Sequence, residues 1–180
     1  MWAWRSRVWA RKLPQVIIGK NTVLCNTVKE RAGVLISLSE ITRENIDEIL
    51  ALKVSENQRT YVSSNGDSLA QAYVYAETAF PFAVYDDSIV VGFIMMGYYE
   101  VKNYYTLWKF MIDSQYQNKG YGRKALELGI KYLRERFDIS EIYTGVVPGN
   151  IVARKLYESI GFTETGLVES GMEEMRLILK

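Results

Sequence analysis

Hydrophobic and polar residues follow a regular pattern from residue 34 onward, and this pattern predicts short strands interrupted by helices. The apolar run Val34–Leu38 has the length of a strand, and a polar stretch from Thr42 opens a helix with an apolar stripe. Ser68 is a suitable cap for a second helix that continues through about Glu77, with Pro81 after its end. This part of the chain is therefore predicted as one strand followed by two helices.

Three stretches rich in β-branched and aromatic residues follow, namely Phe82–Tyr85, Ile89–Met96 and about Tyr104–Ile112. The polar residues Asp86-Asp87-Ser88 between the first two predict a tight hairpin turn. Gly120–Phe137 is the strongest helix in the chain, because its apolar residues recur at spacings of three and four.

The C-terminal part alternates strand and helix before two final strands. Glu141–Val146 is a predicted strand, a helix capped by Asn150 runs through Ile160, and the strands Phe162–Val168 and Met172–Leu179 follow. Strand–helix–strand crossovers are confined to this half of the chain, which predicts an α+β (mixed α/β) fold.

Composition limits the possible catalytic and metal-binding chemistry more than it limits the possible folds. The chain has 180 residues, enough for one domain with its own core, and it contains no His and a single Cys, Cys25. Triads and metal sites that need His are excluded, as are zinc sites built from several Cys. Acid–base work must fall to Tyr, Glu, Asp, Lys, Cys or water. No apolar run approaches the ~18 residues of a membrane-spanning helix, and no metal site is expected.

Charge is distributed unevenly along the chain. Residues 1–32 carry seven Lys or Arg and one acid, whereas the remainder carries fifteen Lys or Arg against twenty Asp or Glu. Because the residues after position 32 carry a net negative charge, nucleic acid is disfavoured as a partner. Residues 1–33 are interpreted as a basic, mobile N-terminal extension or a basic targeting or membrane-surface segment, and residues 34–180 as the folded domain.

A strand-to-helix junction at residues 110–124 has the chemistry of a phosphate-binding site. A buried strand ends, a polar turn follows, and Gly120 and Gly122 open a long helix whose unpaired N–H groups carry partial positive charge. Nearby cations are supplied by Lys119, Arg123 and Lys124. The alternative is that the two glycines only ease a tight turn.

A second candidate element is the helix that begins after Asn150. Ala153 and Tyr157 lie four residues apart, so they share one face of this helix. The alternative is that Asn150 is only a cap and Tyr157 only a core residue, and core is the more common role of an isolated Tyr.

Together the two segments resemble the GNAT family of acetyl-CoA-dependent N-acetyltransferases. Residues Gln117–Gly122 match the family's Q/R-x-x-G-x-G/A motif at every defined position. The predicted elements agree with the family over about residues 34–180, which implies the GNAT fold with a central mixed, mostly antiparallel sheet flanked by helices. The family's second signature is matched by Asn150, Ala153, Leu156-Tyr157-Glu158 and Gly161-Phe162.

Within the family, the chain is most similar to the bacterial spermine/spermidine (diamine) acetyltransferases. That resemblance implies transfer of an acetyl group to a primary amine of spermidine, spermine or a related diamine. The alternatives are another amine (an amino acid, an antibiotic or a protein N-terminus) or a CoA-binding sensor module without turnover. The similar segments are Glu56-Asn57-Gln58, Tyr61-Val62, Asn65, Ser68–Ala72, Pro81-Phe82-Ala83 and Leu107–Asp113.

The family resemblance also implies the residues that bind acetyl-CoA. Pantetheine is expected along the strand before the glycines and the pyrophosphate on the glycine turn. Tyr157 is the expected general acid, which protonates the departing thiolate. The implied cofactor-binding residues are Phe110, Met111, Ile112, Gln117, Asn118, Lys119, Gly120, Tyr121, Gly122, Arg123, Lys124, Asn150, Ala153, Lys155 and Tyr157.

Charge suggests the general base and the acceptor site. The strand expected to hold the thioester lacks a carboxylate, so Glu100 is a candidate base acting through water, with Glu56 as another. A polyamine favours acidic and aromatic side chains, here Glu56, Tyr61, Glu77 and Glu100. Alternatively, these are ordinary surface residues. The expected setting is the cytoplasm, where acetyl-CoA is found, and a homodimer is an open possibility.

Overall fold

The computed structural model describes residues 35–179, so the predicted N-terminal extension over residues 1–33 lies outside the described residues. The strands are β1 Ile36–Ser39, β2 Ala79–Asp86, β3 Ile89–Tyr99, β4 Tyr104–Ile112, β5 Glu141–Val146, β6 Thr163–Glu169 and β7 Met172–Ile178. The helices are α1 Ile46–Ala51, α2 Asn65–Val74, α3 Tyr121–Arg136 and α4 Ile151–Ile160, with short 3₁₀ turns at Glu56–Gln58 and Ser114–Tyr116.

The described strands form one sheet in the order β1-β2-β3-β4-β5-β7-β6. Neighbouring strands are antiparallel except β4 and β5, which are parallel and connected through α3. A parallel pair needs such a crossover, because the chain must return to the same edge before the second strand starts. The predicted mixed, mostly antiparallel sheet is therefore confirmed.

Helices cover both faces of this sheet. On one face α3 and α4 pack against a cluster that includes Ile94, Leu126 and Phe162. On the other face α1 and α2 pack over Phe93 and Met95. Neighbouring residues of β3 thus enter opposite cores, because side chains alternate along a strand. Within residues 35–179, no helix is long and apolar enough to cross a membrane.

The start of α2 differs from the prediction. The helix begins at Asn65 rather than after Ser68, because the Ser64 hydroxyl accepts a hydrogen bond (3.0 Å) from the backbone N–H of Asp67. This bond satisfies one of the unpaired donors of the first turn. The helix also ends at Val74, earlier than predicted.

Pro81 lies inside β2, although the sequence pattern placed it before the strand. β1 pairs only with Ala83–Asp86, so among the described strands β2 has β3 as its one partner at Pro81. A residue without a backbone N–H is tolerated where one side of the strand needs no ladder hydrogen bond.

Candidate active site

The central feature of the site is a gap between the parallel strands β4 and β5. Their pairing covers two residue pairs, Thr106 with Tyr143 and Leu107 with Thr144. Beyond Leu107 the strands separate, and both of them line a cavity of about 350 Å³. Backbone groups on this side of β4 have no strand partner among the described residues, so an extended ligand can pair there as an added strand would.

A second cavity, of about 260 Å³, continues from the first toward the start of α3. The two cavities share five lining residues, Tyr61, Val62, Phe110, Met111 and Asn150, and therefore form the two ends of one channel. The channel joins the glycine turn before α3 to the interior of the gap between the strands.

The glycine turn has the geometry of an anion-binding site. Gly120 is the N-cap of α3 and has φ +81°, and Asn118 has φ +61°. No atom lies within 4 Å of the position that a Cβ on Gly120 would occupy. The unpaired N–H groups of the first helical turn are thus open to a ligand, and the helix dipole favours a negative one. The open space over Gly120 therefore leaves room for a ligand beside the turn.

The predicted cofactor-binding residues divide into two groups. The channel is lined by Phe110, Met111, Ile112, Gln117, Asn118, Gly120, Gly122, Arg123, Asn150 and Tyr157. The remainder line neither cavity: Lys119, Tyr121, Lys124, Ala153 and Lys155. The Tyr121 hydroxyl donates to Oδ2 of Asp86 (2.5 Å), so only its backbone can meet a ligand on the glycine turn. Arg123 donates to the Ser159 carbonyl (2.8 Å) and so also connects α3 to α4.

Tyr157 lies at the inner end of the channel, two turns into α4. The helix is capped by Asn150, whose Oδ1 accepts from the backbone N–H of Ala153 (3.2 Å). The Tyr157 side chain is buried and lines the larger cavity together with Thr144. Burial raises the pKa of Tyr157 to about 12, and a hydrogen bond with Thr144 opposes that shift. Tyr157 is therefore protonated at neutral pH and suited to donate a proton.

Within residues 35–179, no carboxylate lines either cavity. The Glu56 side chain is 81% exposed and pairs with Arg59 (3.0 Å). Glu100 lies in the turn between β3 and β4 and Glu77 in the turn after α2, and both are exposed. The structure thus brings Tyr61 to the channel but none of the three predicted acids, and the assignment of Glu100 as the base stays a prediction. The described residues also contain no group of three or more side chains that could hold a metal.

Several lining residues of the larger cavity were not among the predicted site residues, namely Trp108, Lys109, Thr144 and Met172. Two of them belong to a β-bulge, since Met95 pairs with Lys109 and Met96 with Leu107, and Trp108 has no partner on β3. Each residue from Trp108 to Met111 lines the cavity, because this stretch of β4 has no strand partner on that side among the described residues.

Lys109 and Met172 contribute a positive charge and a bulky apolar side chain to the wall of this cavity. The Lys109 ammonium donates to Oγ of Ser63 (3.2 Å), so the cavity carries a positive charge. Met172 lies against the backbone of Gly145, with its Sδ 3.1 Å from the position that a Cβ there would take. Residue 145 must therefore be small for Met172 to occupy this place.

Comparison with known proteins agrees with this geometry. The chain matches a family model described as the acetyltransferase (GNAT) family over residues 46–162. It is 33% identical over 149 residues to the spermine/spermidine N(1)-acetyltransferase of Bacillus subtilis (strain 168), covering 78% of this chain and 95% of that protein. It is 32% identical over 84 residues to the N-acetylaspartate synthetase of Homo sapiens, covering 44% of this chain and 26% of that protein.

Solved structures with the same fold include two acetyltransferases. The spermidine N-acetyltransferase of Vibrio cholerae, solved with CoA and spermine, has a TM-score of 0.63 and 20% identity, covering 79% of this chain and 95% of that one. The PaiA N-acetyltransferase of Thermoplasma acidophilum, solved with coenzyme A, has a TM-score of 0.64 and 17% identity, covering 80% and 99%. At these identities the likeness concerns the fold, and it confirms the predicted fold class.

Proposed function

This chain belongs to the GNAT family of acetyltransferases, and from that membership we propose that it acetylates a primary amine of spermidine, spermine or a related diamine with acetyl-CoA. The observation that carries the chemistry is the channel that runs from the glycine turn of α3 to the buried hydroxyl of Tyr157. The acceptor class is supported by the Bacillus subtilis relative, which is named a spermine/spermidine N(1)-acetyltransferase.

The channel residues fit acetyl-CoA along its length. The pyrophosphate would lie on the backbone N–H groups of Gln117–Gly122, where the space over Gly120 is open. The pantetheine would run beside Phe110–Ile112 of β4, beyond the end of its pairing with β5. Bound acetyl-CoA supplies an activated acetyl group at the inner end, near Tyr157.

Tyr157 is proposed to deliver the proton that the departing sulfur needs. The amine nitrogen forms a bond to the acetyl carbon, the bond from carbon to sulfur breaks, and the phenol proton passes to the sulfur. With a pKa of about 12, Tyr157 is a weak acid, so its proton moves only as the sulfur gains negative charge. The same burial disfavours a thiolate, which raises the pKa of the thiol and makes the transfer less uphill.

The acceptor amine must also lose a proton, and no carboxylate of the described residues lines the channel. We propose that the amine reacts in its neutral form and, once bonded to the acetyl carbon, passes its extra proton to water, with Glu100 or Glu56 acting only through that water. Tyr157, which has given its proton to the sulfur, then takes a proton from water. The kcat/KM is then expected to rise with pH up to the pKa of the amine, ~10. A plateau that begins near pH 6 would instead indicate a carboxylate base within the site.

One observation favours a second acceptor class. Lys109 places an ammonium group in the larger cavity, where it repels a second ammonium of a polyamine and attracts a carboxylate. An amine that carries a carboxylate, such as an amino acid, is therefore the alternative acceptor. Under the polyamine proposal, Lys109 lies beside the reacting amine and lowers its protonated fraction.

A competition experiment distinguishes the two acceptor classes. The protein is incubated with acetyl-CoA and an equimolar mixture of spermidine, spermine and amino acids, and the acetylated products are identified by mass spectrometry. Acetylated polyamines alone would support the proposal, whereas acetylated amino acids alone would contradict it. In the polyamine case Lys109→Ala is expected to leave the KM for spermidine unchanged or lower it, and in the amino acid case to raise the KM.

The proposed setting is the cytoplasm, because acetyl-CoA is available there. The sequence leaves open whether the protein is a homodimer, and light scattering of the purified protein tests this directly.

A further inference from the structure

Residues 53–63, here called the strap, cross the channel between α1 and α2. Tyr61 and Val62 line both cavities, and Val54 and Gln58 line the outer one. The opposite wall is formed by β4 and the start of α4. Strap side chains are half-buried or exposed rather than part of the core. A segment in this position covers any ligand that lies along β4.

One end of the strap is fixed to the end of β4. Asp113 is buried, and its Oδ2 accepts a hydrogen bond (2.7 Å) from the backbone N–H of Lys53. The backbone N–H of Ser114 donates in turn to the Lys53 carbonyl (2.8 Å). These two bonds join the strap to the strand that precedes the glycine turn.

The middle of the strap is tied to the glycine turn itself. Nε2 of Gln117 donates to Oε1 of Gln58 (2.8 Å) and to the carbonyl of Ile112 (2.9 Å). The Ser55 hydroxyl lies within hydrogen-bond distance of the same Gln58 oxygen (2.8 Å) and of Oδ1 of Asn57 (2.7 Å), so its one proton is shared between these two acceptors. Gln117 is the first residue of the proposed pyrophosphate site, so Gln58 contacts that site through it.

The far end of the strap meets the other walls of the channel. The hydroxyl of Tyr61 lies 3.2 Å from the position that a Cβ on Gly149 would take, in the turn between β5 and α4. Ser63 accepts from the ammonium of Lys109 on β4. The strap is therefore connected to β4, to the glycine turn and to the turn before α4.

We propose that the strap covers bound pantetheine and that the hydrogen bond from Gln117 to Gln58 is the latch that holds the strap against the glycine turn. Gln58 lines the outer cavity itself, and through the latch it also positions Gln117 and the rest of the strap. The latch slows the release of CoA and holds the far end of the strap, which carries Tyr61, in place. The proposal rests on the proposed function in that its ligand is CoA.

The test replaces the acceptor oxygen of the latch. Gln58→Met keeps the length of the side chain but removes the oxygen that accepts from Gln117 and Ser55. Gln71→Met, on the exposed side of α2, is the matched control. CoA dissociation, measured by stopped flow without any amine, is expected to be about two- to tenfold faster for Gln58→Met and unchanged for Gln71→Met. The KM for the amine is expected to rise while kcat stays within twofold.

Two further measurements separate a latch from a general loss of stability. The double variant Gln58→Met/Gln117→Met is expected to release CoA no faster than Gln117→Met alone, because either change removes the same bond. Amide hydrogen exchange of residues 53–63 in Gln58→Met is expected to speed up, with exchange in the rest of the chain unchanged. Since release is measured without acceptor, failure of the amine assay contradicts the proposed function alone. Unchanged CoA release and unchanged strap exchange in Gln58→Met would overturn the latch.

Discussion

Replacement of Tyr157 by Phe tests the chemistry proposed for the inner end of the channel. The change keeps the ring, which is buried and lies 5.8 Å from the ring of Phe162, and removes only the hydroxyl. The hydrogen bond lost with Thr144 is expected to cost about 0.5–1.5 kcal/mol of folding stability, too little to unfold the domain. Loss of the proton donor is expected to lower kcat about 10²- to 10⁴-fold.

The assay combines turnover with binding. Release of free thiol gives kcat, and calorimetric titration with CoA gives the affinity, which is expected to change less than threefold because Tyr157 contacts only the inner end of the channel. Unchanged turnover in Tyr157→Phe would remove this residue from the acid role. Equal losses of turnover and CoA affinity would show that Tyr157 supports binding rather than proton transfer.

The raised pKa of Tyr157 predicts an alkaline signature in stability. The unfolded phenol titrates near pH ~10 and the folded one near 12, so the folded state binds the proton more tightly. The resulting stabilisation is complete below pH ~10 and is lost as the pH rises toward 12, up to about 3 kcal/mol for a shift of about two units. The pKa values of other tyrosines are also raised. The quantity to measure is therefore the difference in the free energy of unfolding in urea between the unaltered chain and Tyr157→Phe, from pH 9 to 11.5. A constant difference would refute the shift.

Three further changes test other parts of the account. Gly120→Asp places a carboxylate at the anion site and is expected to weaken CoA binding at least tenfold more than Gly120→Asn, which has the same backbone cost without the charge; equal affinities by titration would contradict the placement of the pyrophosphate. Gly145→Val displaces Met172 from its wall and is expected to raise the KM for the amine more than that for acetyl-CoA, as steady-state kinetics would show; an effect on acetyl-CoA alone would contradict the placement of the acceptor. Burial alone would raise the pKa of Glu174, but hydrogen bonds from Lys102, Thr165 and Tyr104 bring it below its ordinary value. Glu174→Gln is therefore expected to be less stable than the unaltered chain at pH 7, and this difference in stability is expected to narrow as the pH falls below ~4.5. A gap in the urea midpoint that stays constant down to pH 3 would show that these bonds do not favour the charged form.

Strands and helices bounded by clear turn signals were predictable from the sequence. The bounds of β4 and β5 agree with the predicted Tyr104–Ile112 and Glu141–Val146, since β4 ends before the polar turn at Asp113 and β5 ends just before Pro148-Gly149. Asn150 was also predictable as the cap of α4, because its side chain satisfies a local donor. The start of α2 was missed because Ser68 was the predicted cap, whereas the bond from the backbone N–H of Asp67 makes Ser64 the cap.

The residues that line the larger cavity, by contrast, were not predictable from the sequence. Its wall is formed where β4 and β5 separate, and the residue pattern of one strand does not encode how far it stays paired with another. Charge alone pointed to Glu56, Glu77 and Glu100, and none of them lines the channel, because the position of a surface turn depends on how distant elements pack. The strand-to-helix turn at Gly120 was predictable because its glycines and polar residues are consecutive, and its role in binding stays a prediction.

Steady-state release of free thiol from acetyl-CoA, measured separately with spermidine, spermine, short diamines and several amino acids, tests the central proposal most directly. The account predicts saturable release with the polyamines and none above background with the amino acids. Release with none of these amines, from protein shown by titration to bind CoA, would contradict the assignment of this chain as a polyamine acetyltransferase.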